Sequence, residues 1–455
     1  LRRISIVFND INKSMKINQY KQEIRALFQL GLPIIVSQLG TVAMGVADTI
    51  QVGQIPNKSA DAVAAAGLSN VLVFTIAIIG ILALSVIAPM ISKAIAEDKP
   101  NEVRDLYQAS MRVAWLMAPI SAMICIGMAF CLPFLKQDAD VVALAIPFTG
   151  VISISILPLF LFSAMRQLTD GCGDTRMAML VTLTALGLNI FLNWVLIPHF
   201  GLVGSGFATL ISRSFMALGL WLFIRQKLDY KSFIDKSKNN LKPYITRILT
   251  TGLPSGMQGF FEVAVFGAAV LLIGAYGKYQ QAAHQIALNM CSVSYMMVTG
   301  VAVAGSIRVG HFWGLKDKEA MRCAGTAALI LSTCVMSCSA ILFFMMPKQL
   351  VHLYTDDVKV VSIAVELLII GSFFQLSDGF QATSMGILRG IADVNQPTIL
   401  SIFAYWVVGL PLGWVFAEQF GMESRGVWLG LTASLTLLAA LLGWRFYAQL
   451  KKIVL

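Results

Sequence analysis

Two long apolar stretches of this chain open with the same tripeptide, Gly31-Leu32-Pro33 and Gly252-Leu253-Pro254, and the correspondence continues at an offset of about 220 residues. Ala64 and Asn70 match Ala283 and Asn289; Gly171 and Asp174 match Gly390 and Asp393; Gly201 and Gly206 match Gly421 and Gly426. A tandem repeat of this size in an apolar chain predicts two similar membrane halves that work against each other around a central site.

Composition supports a membrane setting. Of 455 residues, 57% are hydrophobic and 13% charged, with a mean hydropathy of +0.76, too few polar side chains to cover a soluble surface. A helix needs about 20 apolar residues to cross the hydrocarbon core. That criterion predicts an all-α chain with spans near 26–52, 62–91, 107–133, 140–164, 177–198 and 202–224. Six more lie near 247–275, 281–309, 323–346, 358–386, 397–417 and 426–448. The expected organisation is an N-terminal tail 1–25, a six-helix bundle 26–224, a basic linker 225–246, a second bundle 247–448 and a C-terminal tail 449–455. Six spans per half make the repeats parallel.

Of the 34 Lys and Arg, only Lys58, Lys136, Lys278, Lys348, Lys359 and Arg425 fall in one set of loops, and Arg213 falls inside a span. The other 27 lie in the tails, the opposite loops and the linker, which holds Lys227, Lys231, Lys236, Lys238 and Lys242. The positive-inside rule therefore predicts that both termini are cytoplasmic. It also explains the net charge of +10 through topology, so no nucleic-acid partner is expected. The run Ile4–Phe8 is too short for a secretory signal, and the first 24 residues read as a cytoplasmic tail or surface helix. No Gly-x-x-x-x-Gly-Lys-Ser/Thr loop occurs, which argues against ATP as the energy source. The four histidines form no constellation with a nucleophile, so an enzyme is not expected.

A charge at mid-bilayer costs about 2.5–3.5 kcal/mol, so Asp48, Glu262 and Asp378 need a reason. At 1.5 Å per residue, Glu262 lies about 22 Å beyond Arg247 and Asp378 about 16 Å from Arg389, similar depths. Asp48 reads either as a binding carboxylate or as an interfacial helix end. Glu366 reads as a solvated rim residue, and Arg213 either pairs with a carboxylate or snorkels. Carboxyls at such depth can hold a proton, a metal ion or an organic cation in turn. Asn189, Asn193 and Thr209 are candidate neutral ligands, or else interhelical hydrogen-bonding groups. Phe261 and Phe374, beside the acids, are candidate cavity aromatics for flat cations. No cofactor is expected beyond a coupling ion, Na+ or H+.

These residues resemble a known family. Pro33 with Met44-Gly45-Val46-Ala47-Asp48-Thr49, Gly252-Leu253-Pro254 with Phe261-Glu262, and Ala282-Ala283-His284-Gln285-Ile286-Ala287-Leu288-Asn289 are similar to segments of the multidrug and toxic compound extrusion transporters. So are Ser306-Ile307-Arg308-Val309-Gly310, Gly386-Ile387-Leu388-Arg389-Gly390 and Tyr405-Trp406 with Gly409-Leu410-Pro411. The resemblance covers residues 25–450 and points to the NorM-like branch. It implies a twelve-helix fold of two bundles and cation-coupled export of lipophilic cationic drugs across a bacterial inner membrane by a monomer. It further implies that Asp48, Glu262 and Asp378 are the essential acids, with Na+ as a candidate at Glu262 and Asp378. Gln285 matches a cavity-lining glutamine, and Asn189 and Asn193 match the polar pair of span 5. Phe374 stands where some relatives carry tyrosine, and Asn193 where other branches carry aspartate. A lipid-linked oligosaccharide or lipid II flippase of the same superfamily is the alternative, but its pyrophosphate would call for deep arginines. A major facilitator would carry Gly-x-x-x-Asp-Arg/Lys after span 2, where Ser92–Lys99 stands instead.

Overall fold

The computed structural model describes the backbone of residues 2–55, 59–135, 138–235 and 239–452, with side chains from residue 18. Lys58, Lys136, Lys236 and Lys238 lie outside the described residues. Among the described residues, twelve helices are long and apolar enough to cross a membrane. Spans 1 to 6 are Asn18–Val52, Ser59–Ala96, Pro100–Phe134, Ala139–Gly171, Arg176–Phe200 and Leu202–Gln226. Spans 7 to 12 are Lys242–Gly274, Lys278–Gly314, Lys318–Met345, Val358–Gly390, Asn395–Glu418 and Glu423–Lys452. The predicted all-α twelve-helix fold is thus present. Its elements run past the expected tails: helix covers Arg2–Val52 without interruption, Glu423–Lys452 enters the C-terminal tail, and the linker contains a short helix, Leu228–Ile234.

Helix starts follow local chemistry. Asp138 accepts from the Asp140 amide, Asp317 from that of Ala320, and Asp357 from those of Lys359 and Val360. Each carboxylate satisfies amides that a helix leaves unpaired. Span 4 is broken at Ser155, between Ala139–Ile154 and Ile156–Gly171.

The repeat recurs in local geometry. Gly201 and Gly421 both take positive φ, +58° and +64°, joining the fifth span to the sixth and the eleventh to the twelfth in a conformation that a side chain would strain. A Cβ on Gly171 would meet the Ala88 carbonyl oxygen at 2.8 Å, and one on Gly390 would meet that of Ser306 at 2.7 Å. Asp174 pairs with Lys227 at 2.7 Å, and Asp393 with Arg445 at 2.7 Å.

The chain packs as two compact units, Leu1–Ile35 with Val265–Leu455, and Val36–Ala264. These divide spans 1 and 7 internally, whereas the sequence draws its boundary in the linker. The reason lies in two close approaches. Gly31 packs on the Gly300 carbonyl in the first unit, and Gly252 on that of Ala83 in the second. Each repeat therefore lends the start of its first span to the unit built mainly from the other. Small residues such as Ala65, Ala109 and Ala114 fill the second unit, and Ala304, Ala327 and Ala364 the first. Trp194, Phe134 and Leu271 stay exposed, as suits side chains that face lipid.

Candidate functional site

Three spans of the Val36–Ala264 unit converge on Asp48. Asn193 Nδ2 donates to Asp48 Oδ1 at 2.5 Å, and Thr209 Oγ1 donates to Oδ2 at 3.1 Å. Asn189, one turn before Asn193 on span 5, lies 3.5 Å from the same amide nitrogen through its Oδ1. Both asparagines are completely buried. Span 1 is held against span 5 at two other levels: Ser37 shares a 3.1 Å hydrogen bond with Thr182, and Gln51 donates to the Ile190 carbonyl at 3.1 Å. Asp48 is half-buried, and neighbouring spans reach both of its oxygens. Its two oxygens each receive a donor, while Asn193 Oδ1 is buried without a hydrogen-bond partner among the described residues. A buried amide oxygen without a partner costs free energy, and a cation, a proton carrier or water at this pocket would satisfy it.

Arg213, one helical turn beyond Thr209, donates from Nη1 to Ser155 Oγ at 2.7 Å. Among the described residues it makes no close ion pair, and its guanidinium is held by this neutral hydroxyl.

Glu262 belongs to the same unit and is nearly buried. Its Oε2 accepts from Gln258 Nε2 at 2.5 Å, one turn earlier on the same helix. Span 7 comes close to span 2 along Gly252, Gly256 and Gly259, which pack on Ala83, Ile79 and Leu82. Beside the acid, the rings of Phe260 and Phe261 stand edge to face at 5.6 Å.

Asp378 lies in the other unit and is also nearly buried. One turn earlier, Phe374 packs against Trp428 at 5.6 Å and Phe266 at 6.2 Å. With 3% of its surface exposed, Phe374 is a core residue of its unit rather than an open cavity wall. Trp428 Nε1 donates to His284 Nδ1 at 3.0 Å, a pair the sequence reading missed because its partners lie 144 positions apart. Gln285 faces outward on the next position and donates to Asn289 Oδ1 at 3.3 Å. Glu366 meets Arg425 at 3.2 Å with both side chains partly exposed, in keeping with a rim position. Gln258 was legible in principle, since an amide four residues before a buried acid on a helix must face it.

The MatE family model matches the chain twice, over residues 33–195 and 254–415. The chain belongs to the MatE family. The two matches start 221 residues apart, the same spacing that separates Pro33 from Pro254. Among curated relatives, a probable multidrug resistance protein NorM of Brucella suis biovar 1 is 31% identical over 96% of this chain and 95% of its own length. The NorM of Burkholderia vietnamiensis, named a multidrug resistance protein, is 30% identical over 94% of each. The probable NorM of Geobacillus kaustophilus is 33% identical over 93% of this chain and 94% of its own. These matches make the chain a NorM-like MatE protein. Its fold is similar to that of the eukaryotic MATE transporter AtDTX14, with a TM-score of 0.87, 18% identity and coverage of 95% and 98%. A MOP superfamily transporter from Pyrococcus furiosus gives 0.85 with 19% identity and coverage of 94% and 96%.

Proposed function

We propose that this MatE protein is a multidrug efflux transporter that exports lipophilic organic cations in exchange for an inward-moving Na+ or H+. The observation that carries the reading is the Asp48 pocket, where a half-buried carboxylate is surrounded by Asn189, Asn193 and Thr209. Such a carboxylate stays inside a membrane only with compensation, and a cation that comes and goes supplies both compensation and transport. Glu262 and Asp378 are further acids at which the coupling ion or drug would bind, each nearly buried in its own unit. The names of the NorM relatives support multidrug efflux. In this reading the protein acts as a monomer in a bacterial inner membrane with both termini cytoplasmic, which the Lys and Arg distribution favours.

The test is ethidium transport in proteoliposomes under an imposed Na+ gradient, then an imposed H+ gradient. Ethidium movement driven by one of the two supports the reading and names the ion. Movement of a lipid-linked sugar with no movement of ethidium would overturn it in favour of a flippase.

A further inference from the structure

Arg213 is eleven residues into the span Leu202–Gln226, about 17 Å from its start, and so near the middle of that span. A permanently charged guanidinium at that depth needs acceptors. Among the described residues its acceptor is a neutral one, Ser155 Oγ at 2.7 Å, whose own proton goes to the Ile152 carbonyl at 2.6 Å. Ser155 is completely buried and marks the break in span 4. The hydroxyl that holds Arg213 therefore sits where that helix is interrupted.

The acid nearest in role is Asp48. Thr209, which donates to Asp48 Oδ2, precedes Arg213 by one turn on the same face, a rise of about 6 Å. Arg213 itself rests on Ser155. A long cationic side chain one turn from the residue that bonds Asp48, and held on a neutral hydroxyl, has a second acceptor on the same side of its helix.

We propose that Arg213 is a tethered counter-cation for the Asp48 pocket: it rests on Ser155 while a transported cation occupies Asp48 and moves onto Asp48 when that cation leaves. This rests on Asp48 binding a transported cation, as proposed above. The consequence is competition. An arriving cation has to displace an intramolecular one, so the pocket binds more weakly than its carboxylate alone would, and a bound cation has a ready replacement that speeds its release. The replacement gives the carboxylate a positive partner in addition to its two neutral donors, Asn193 and Thr209. Affinity is given up for turnover.

The two residues at the resting place should then act with opposite sign. Arg213→Gln removes the competitor, so the KM for ethidium should fall roughly fivefold or more, the low end of typical coupling between bound groups, while kcat also falls. Ser155→Ala removes the resting place and keeps the cation, so the KM should rise. Arg213→Lys retains the charge and should restore kcat towards wild type. In the Asp48→Asn background, Arg213→Gln should change ethidium binding no further.

The measurement is ethidium KM and kcat for purified, reconstituted protein, with ethidium binding by fluorescence for the Asp48→Asn pair. Shifts of KM in opposite directions support the proposal. Shifts in the same direction, or an unchanged KM in both variants beside an active wild type, overturn it, because loss of packing alone would not separate the two. If Arg213→Gln does not fold, Ser155→Ala decides: an unchanged or lower KM rejects the tether. Wild-type protein that neither binds nor moves ethidium would instead sink the cation-export reading, and this inference with it.

Discussion

Asn193 donates to Asp48 from 145 positions away in sequence, with 2.5 Å between Nδ2 and Oδ1. That contact turns an acid near the end of span 1 into the centre of a pocket, because span 5 brings a buried amide to one oxygen while span 6 brings the Thr209 hydroxyl to the other. Asp48→Asn should abolish gradient-driven efflux, since the amide cannot bind a cation by charge. Asn193→Ala should weaken it. A hydrogen bond to a charged group is worth about 1.5–3 kcal/mol, so affinity for the cation that Asp48 binds should change by roughly tenfold or more, with Thr209→Val milder. Efflux against concentration of ethidium, and against that of the coupling ion, reads this directly. Wild-type dependence on both in Asn193→Ala would remove the pocket from the mechanism.

A second prediction concerns Glu262. Its partner Gln258 can still bond to a glutamine at that position, so Glu262→Gln should insert and fold while ion-driven ethidium efflux disappears. Gln258→Leu should leave the acid in place with one hydrogen bond fewer, and efflux should decline without vanishing. Elution from a sizing column checks folding, and efflux in proteoliposomes checks function. Normal efflux by well-folded Glu262→Gln protein would show that its charge takes no part.

Much of the fold was legible because glycine at a tight crossing leaves a mark in sequence. Gly171 and Gly390 recur at constant offset, and both sit against a neighbouring backbone carbonyl. Asp48, Asn189, Asn193 and Thr209 were legible as polar residues that hydrocarbon would not tolerate unpaired, and the structure joins all four. The exchange of span starts between units was not legible, since Gly31 and Gly252 say that a helix is close and not which one. Phe374 failed for a related reason. Lipid-facing, cavity-facing and core positions of a span are all apolar, so hydropathy does not separate a cavity aromatic from one packed between Phe266 and Trp428. The pairing of His284 with Trp428 depends on the packing of spans 8 and 12, which no local pattern encodes.

The glycines give a third prediction. A Cβ on Gly430 would overlap the backbone of Gly413, so Gly430→Val should destabilise by about 1–3 kcal/mol, the usual cost of overpacking. Gly187, mid-way along span 5, has nothing within 4 Å of its Cβ position. Gly187→Ala should therefore be neutral or stabilising by up to about 1 kcal/mol, through helix propensity alone. Melting temperatures in detergent compare the two. A Gly430→Val protein as stable as wild type would mean that spans 11 and 12 do not pack this closely.

The last prediction uses the two equivalent ion pairs near the ends of spans, Asp174 with Lys227 and Asp393 with Arg445. Lys227 Nζ lies 2.7 Å from Asp174 Oδ2, and that hydrogen bond, aided by the attraction of the same carboxylate, holds the ammonium above its usual value of 10.5. A base whose proton is held more tightly in the folded state adds stability while it is charged and loses that contribution as pH rises through its folded value. The pair should therefore contribute fully at pH 7 to 9 and fade above about 10.5. The site is partly exposed, so the contribution is small, about 0–1 kcal/mol. Its counterpart pairs Asp393 with Arg445 through two hydrogen bonds of 2.7 and 2.8 Å, and arginine stays charged at every pH in question. Exchanging the bases should then exchange the behaviour. Lys227→Arg should lose less melting temperature than wild type between pH 9 and 11.5, and Arg445→Lys should lose more. Differences between variants isolate the pair, because other lysines titrate equally in all three proteins. Identical alkaline profiles would show that neither pair contributes to stability.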